Sequence, residues 1–159
     1  MTIPELQKQL DQLYATNQLD QAYAFLLEQI NTAMEYQDDL AILFLLNEMI
    51  GYFRVTSQFQ LGNQIATQIL NILAMSGREQ TIDGATSYIN IATFYRVQGR
   101  YQEALDLYQK TEKIYQQYLL PNDELYSAFY NNLSLLYQEM GDIHQAITMQ
   151  KKPYPLLNN

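Results

Sequence analysis

The chain has 159 residues, with 17 Asp or Glu against 9 Lys or Arg and a net charge of −8. That balance argues against nucleic acid, whose binding rests on Lys and Arg neutralising phosphate, and equally against an anionic membrane surface. Cysteine is absent, which removes disulfide and thiolate chemistry, and a hydrophobic content of 48% is that of a folded chain.

A first helix is predicted over 3–15, with Pro4 in the first turn, where its missing N–H costs nothing. A second is predicted over 19–36, with Ala22, Phe25, Leu26, Gln29 and Ile30 facing inward at helical spacing. Asp38 and Asp39 open a third, since acids suit the positive end of a helix dipole. Its sequence down to Phe53 is apolar nearly all round, as in a helix packed between others. A fourth runs over 59–75 and stops at Ser76 and Gly77, a left-handed cap.

The fifth and sixth helices, over 83–98 and 101–119, organise the chain around a tight turn at Gly99. Tyr88, Ile91, Ala92 and Tyr95 share one face; Tyr101, Ala104, Leu105, Tyr108 and Thr111 share the other. Ala92 and Ala104 sit where two helices must approach closely. The run Pro121-Asn122-Asp123-Glu124 breaks the sixth helix and starts the seventh, with Asn122 or Asp123 as cap. An eighth begins at Asp142, and Pro153 and Pro155 prevent its continuation. Nothing reads as a strand. No apolar run is long enough for a membrane span, and MTIPELQKQL lacks a signal-peptide pattern, so a cytoplasmic protein is expected.

The pattern repeats. Forty-two residues after Gly99 comes Gly141, with Tyr95 matching Tyr137, Ile91 Leu133, Ala92 Ser134 and Ala104 Ala146. Forty-two before, Gly99 falls on Ser57, Tyr95 on Phe53, Tyr101 on Phe59 and Ala104 on Gly62. A degraded copy opens the chain, where NQLDQAYAF resembles GRYQEALDL with Ala22 on the small position. Such self-similarity means stacked units.

These residues resemble the tetratricopeptide repeat (TPR) family. The third copy matches its pattern throughout, with Tyr88, Ile91-Ala92, Tyr95, Gly99, Tyr101, Ala104 and Tyr108. The fourth matches until Gln150 replaces the last aromatic, and the second is looser. The 42-residue period resembles the longer-helix variety of kinesin light chains and some bacterial regulatory proteins. The resemblance implies an all-α, right-handed solenoid of about four antiparallel helix pairs. One array would cover 1–152, with repeats near 3–36, 43–76, 85–119 and 127–152, and an irregular tail over 153–159.

Catalytic chemistry has little to draw on. The one histidine, His144, lies at an outward position of the eighth helix, and one His without Cys cannot supply a usual zinc site. A nucleophile–His–acid arrangement would have to use it, and no Ser or Asp is placed to suggest one. The six glycines are scattered, so no phosphate-cradling loop exists. Asp38-Asp39 and Asp123-Glu124 could be acid pairs, but both sit where helix starts want acids. Fourteen tyrosines could form a stacking platform, yet most occupy repeat core positions. No enzyme, metal or cofactor is expected.

The resemblance implies a protein-interaction module that holds a peptide or partner protein in a concave groove lined by the first helix of each pair. Those positions are Phe44, Asn47, Glu48, Gly51, Arg54 and Val55 in the second copy. In the third they are Thr86, Ile89, Asn90, Thr93, Arg96 and Val97; in the fourth, Ala128, Asn131, Asn132, Leu135, Gln138 and Glu139. The expected contact residues are Asn47, Arg54, Asn90, Arg96 and Asn132: asparagines for the peptide backbone, arginines for an acidic group through their planar forks. The other reading of the arginines is pairing with acids on adjacent helices.

The alternative function is a sensory or regulatory domain of a bacterial peptide-responsive signalling system, although no helix-turn-helix is visible. From Met1 to Phe53 there are eight acids and one base, Lys8, either a solvated face or a docking surface for a basic segment. The short eighth helix, with Ile143, Ala146, Ile147 and Met149, leaves its face partly open. That leaves three expectations: self-association through this end, folding-back of Leu156-Leu157, or shortening from a longer array.

Overall fold

The computed structural model describes residues 1–152; the tail expected over 153–159, including Leu156-Leu157, lies outside the described residues. Among the described residues there are eight helices and no strand. They are α1 Ile3–Ala15, α2 Leu19–Glu35, α3 Asp39–Val55, α4 Phe59–Ser76, α5 Ile82–Val97, α6 Tyr101–Tyr118, α7 Leu125–Glu139 and α8 Ile143–Gln150.

Local chemistry sets the helix starts. The Thr2 hydroxyl accepts from the N–H of Glu5 while the Glu5 carboxylate accepts from the N–H of Thr2, a reciprocal capping box. Asp38, Thr81 and Asp142 cap α3, α5 and α8 by accepting from the N–H groups of Ala41, Gly84 and Gln145. At α7 the cap position is Glu124, one beyond the residues expected, and its side chain makes no cap bond. Asp123 still serves the helix start, accepting from the N–H of Leu125 at 2.9 Å.

One turn joins the helices of every pair. Asn17, Ser57, Gly99 and Gly141 all have left-handed backbones, with φ of 56, 56, 76 and 85°. In each case the next residue's N–H closes the turn, Gln18 to the carbonyl of Leu13, Gln58 to Phe53, Arg100 to Tyr95 and Asp142 to Tyr137, at 2.9–3.0 Å. Five residues after each left-handed position stands a small buried residue, Ala22, Gly62, Ala104 or Ala146. The turn therefore delivers the small side chain to the crossing of the pair.

Contacts divide the chain into two compact units, Met1–Ser76 and the part from Gly77 onward. In the first, α3 packs on both α2 and α4, which is why it is apolar nearly all round. Leu10, Leu26, Leu45, Ile50, Ile69 and Leu73 fill this core. Tyr23 stacks on Tyr52 with ring centroids 4.9 Å apart.

In the second unit, α5 and α6 form the expected pair, with Ala92 and Ala104 fully buried. Because α6 also packs on α7, its buried stripe is wider than its predicted face: Leu107 is buried and Leu105 only half-buried. Tyr115, Tyr126, Phe129 and Tyr130 form one ring cluster, with centroids 5.3–6.1 Å apart. On α8, Ala146 is buried while Ile143 and Ile147 are about half exposed. Among the described residues, no helix is long and apolar enough to cross a membrane.

Candidate peptide-docking faces

In the first unit, α3 presents four of its six expected groove positions to one cleft. Glu48, Gly51, Arg54 and Val55, with Tyr52, form one wall; Tyr14 at the end of α1 and Leu19 at the start of α2 form the other. The cleft encloses about 350 Å³. A Cβ added at Gly51 would meet nothing within 4 Å, so the missing side chain leaves open space.

The polar groups of this cleft differ in how they are held. Glu48 is half-buried, and among the described residues it has no hydrogen-bond or ion-pair partner. Burial first, and the Asp11 carboxylate second, push its pKa up. Burial, with Glu48 and Tyr52 adding to it, raises Tyr14 to about 12, so its phenol stays neutral. Arg54 is exposed and makes no salt bridge among the described residues. Asn47 is half-buried, and its amide donates to the carbonyl of Leu43 on its own helix at 2.8 Å.

In the second unit the first helices, α5 and α7, lie against each other. Arg96 donates to Glu139 across them at 2.5 Å, and both occupy expected groove positions. For Arg96 the reading of an arginine paired with an acid on a neighbouring helix therefore holds. Glu139 remains about a third exposed, so water screens the pair, which stabilises by about 1 kcal/mol or less. The Nε of Arg96 is buried without a hydrogen-bond partner among the described residues. Beside it, the hydroxyls of Thr93 and Tyr108 lie 3.1 Å apart. Asn90 and Asn132 are both half-buried, on α5 and α7.

The two arginines thus differ. The residue 43 positions after Arg96 is Glu139, whereas 43 positions after Arg54 the sequence has Val97. The site residue that the sequence reading missed is Tyr14. The first copy is offset from the second by 40 residues rather than 42, from Asn17 to Ser57. Tyr14 is then the counterpart of Arg54, three before the left-handed residue.

Among the described residues no group of three or more His, Cys, Asp or Glu is gathered as a metal site, and His144 is exposed. Asp38 and Asp123 act as helix-start acceptors.

Residues 84–158 match the family described as tetratricopeptide repeat. BtubC (BKLC) from P. vanneervenii is similar in structure, with a TM-score of 0.84 and 18% sequence identity, over 95% of this chain and 60% of that one. A putative kinesin light chain from Podosopora anserina, with nearly identical TPR-like repeats, has a TM-score of 0.80 at 18% identity, over 95% of this chain and 72% of that one. At these identities the likeness concerns the fold, and this chain spans 60% of the length of the first relative. No curated protein matches the chain in sequence. The all-α, helical-repeat fold class is the one expected from the sequence, and this fold generally serves as a non-catalytic module for protein–protein interaction.

Proposed function

We propose that the chain, whose residues 84–158 match the tetratricopeptide repeat family, is a non-catalytic interaction module that holds a peptide segment of a partner protein against the first helices of its pairs. The observation that carries this reading is the cleft of the first unit. Glu48, Gly51, Arg54 and Val55, groove positions implied by the family resemblance, line one cavity of about 350 Å³. A cleft of that size admits one or two side chains of an extended peptide.

Within this reading Arg54 takes an acceptor group of the peptide, carboxylate or carbonyl, because its fork is exposed and without a salt bridge. Arg96, paired with Glu139, presents a neutralised pair rather than a bare cation. Asn90 and Asn132 engage the peptide backbone, and Asn47 joins them on α3.

A peptide array, followed by hydrogen exchange with the best binder, tests the proposal. Protection should concentrate on α3, α5 and α7, and Arg54→Ala and Asn90→Ala should weaken binding without moving the melting curve. Protection confined to α2, α4, α6 and α8 would overturn it.

A further inference from the structure

We infer that the α1–α3 cleft is the seat for a cationic side chain, lysine or arginine, of the bound peptide, with its charge against Glu48 and its stem along Tyr14 and Val55. This inference rests on the groove reading above and names the chemistry of one of its subsites.

A half-buried carboxylate usually has a partner, because desolvation without compensation is costly. Glu48 has none among the described residues, although its neighbours are ordered helices. The charged groups near it are unequal. Asp11, one turn before Tyr14 on α1, is close enough to disfavour the ionised carboxyl. Arg54 lines the same cleft from the last turn of α3 without bonding Glu48. The position therefore combines partial dehydration, negative potential and an unused acceptor.

The shape of the cleft agrees with its charge. Gly51 lies one turn along α3 from Glu48, and open space stands where its side chain would be. The Tyr14 ring supplies an aromatic wall, and a cation over such a face is attracted by the negative face of the ring quadrupole. Long basic side chains suit such a place, with a stem that packs on apolar surface and a head that reaches a carboxylate. Field and site agree in sign, for the unit Met1–Ser76 carries eight acids against two bases, Lys8 and Arg54. Such a field also speeds the arrival of a basic segment.

The test uses the full chain, isotope-labelled, with acetyl-arginine amide and its neutral isostere acetyl-citrulline amide as probes, read by amide chemical shifts. The arginine probe should shift the amides of Glu48, Gly51 and Tyr52, and the citrulline probe should not. Glu48→Gln should weaken the arginine probe at least tenfold while raising the melting temperature, since an unpaired, half-buried charge is removed. That opposite pair of effects separates binding from damage to the fold. Gly51→Leu, which fills the open space, should abolish binding and leave the protein folded. Equal binding of citrulline, or unchanged binding in Glu48→Gln, would overturn the cation seat. If array peptides bind and Glu48→Gln leaves them unaffected, the seat fails and the groove reading stands. If the arginine probe binds here but no peptide does, the groove reading fails and the seat stands.

Discussion

Ser134 donates its hydroxyl hydrogen to the carbonyl oxygen of Ala146 at 2.8 Å, tying α7 to α8 across the pair. Both residues are buried, and the counterpart of Ser134 in the preceding copy is Ala92. Among the described residues α8, with eight residues, is the shortest helix, and Ala146 is its one buried residue. A hydrogen bond compensates for the apolar contact that it lacks. Ser134→Ala should cost about 1 kcal/mol, and the amides of α8 should exchange faster than those of α6. An unchanged melt with unchanged α8 protection would show that the bond contributes nothing.

Gly84 has a stringent requirement of a different kind. A Cβ there would stand 2.5 Å from the carbonyl oxygen of Arg78 and 2.9 Å from that of Glu79. Both obstacles are backbone, so no rotamer change can relieve them. Gly84→Ala should destabilise by about 1–3 kcal/mol despite the better helix propensity of alanine. Gly51→Ala is the control: with nothing near the added Cβ it should leave stability unchanged or raise it. Equal melting temperatures for the two variants would contradict the close approach at Gly84.

Besides Asn17, whose short amide side chain tolerates a left-handed backbone, two positions hold residues where glycine fits better. Ser57 and Gln37 have φ of 56° and 53°, in the region where Gly99 and Gly141 lie. The left-handed conformation costs an L-residue roughly 1–2 kcal/mol, part of which glycine returns through its looser unfolded chain. Ser57→Gly and Gln37→Gly should each raise the melting temperature by a few degrees, and Gly99→Ala should lower it. Since a Cβ at Gly99 meets nothing within 4 Å, that loss would be purely conformational. A Ser57→Gly protein that melts earlier would refute the argument.

The buried phenols give a pH dependence. Burial pushes Tyr115 and Tyr130 from 10.0 up to about 12, with Glu112 adding to the effect at Tyr130. The folded state therefore holds these protons more tightly than the unfolded chain. Their contribution is complete below pH ~10, the unfolded value, and is lost as pH rises towards 12. The melting temperature should be flat up to about pH 9 and then fall, with tyrosinate absorbance appearing alongside unfolding. Tyrosinate forming at these rings in a protein that stays folded would count against the mechanism.

The pairing of helices was legible because it rests on local signals. Gly99, Gly141 and Ser57 mark turns, and Ala104, Ala146 and Gly62 mark close crossings, all at fixed offsets. The first copy was harder to place because Asn17 sits 40 residues before Ser57, not 42, which hid Tyr14 as a residue lining the cleft. Arg96 shows where a repeat pattern stops informing. Its register was readable, but its neutralisation by Glu139 depends on two side chains meeting across neighbouring helices. The constraint at Gly84 was invisible for a similar reason: residues 78–81 fold back onto the helix that they precede, and no periodicity encodes that.

The ring-rich cores have an optical consequence. With fourteen tyrosines and no tryptophan, the protein has no indole emission of its own. A tryptophan in an added peptide, or one introduced by Tyr14→Trp at the cleft wall, would be the sole emitter at long wavelength. Its colour would then report directly how wet or dry that one position is, before and after a partner docks.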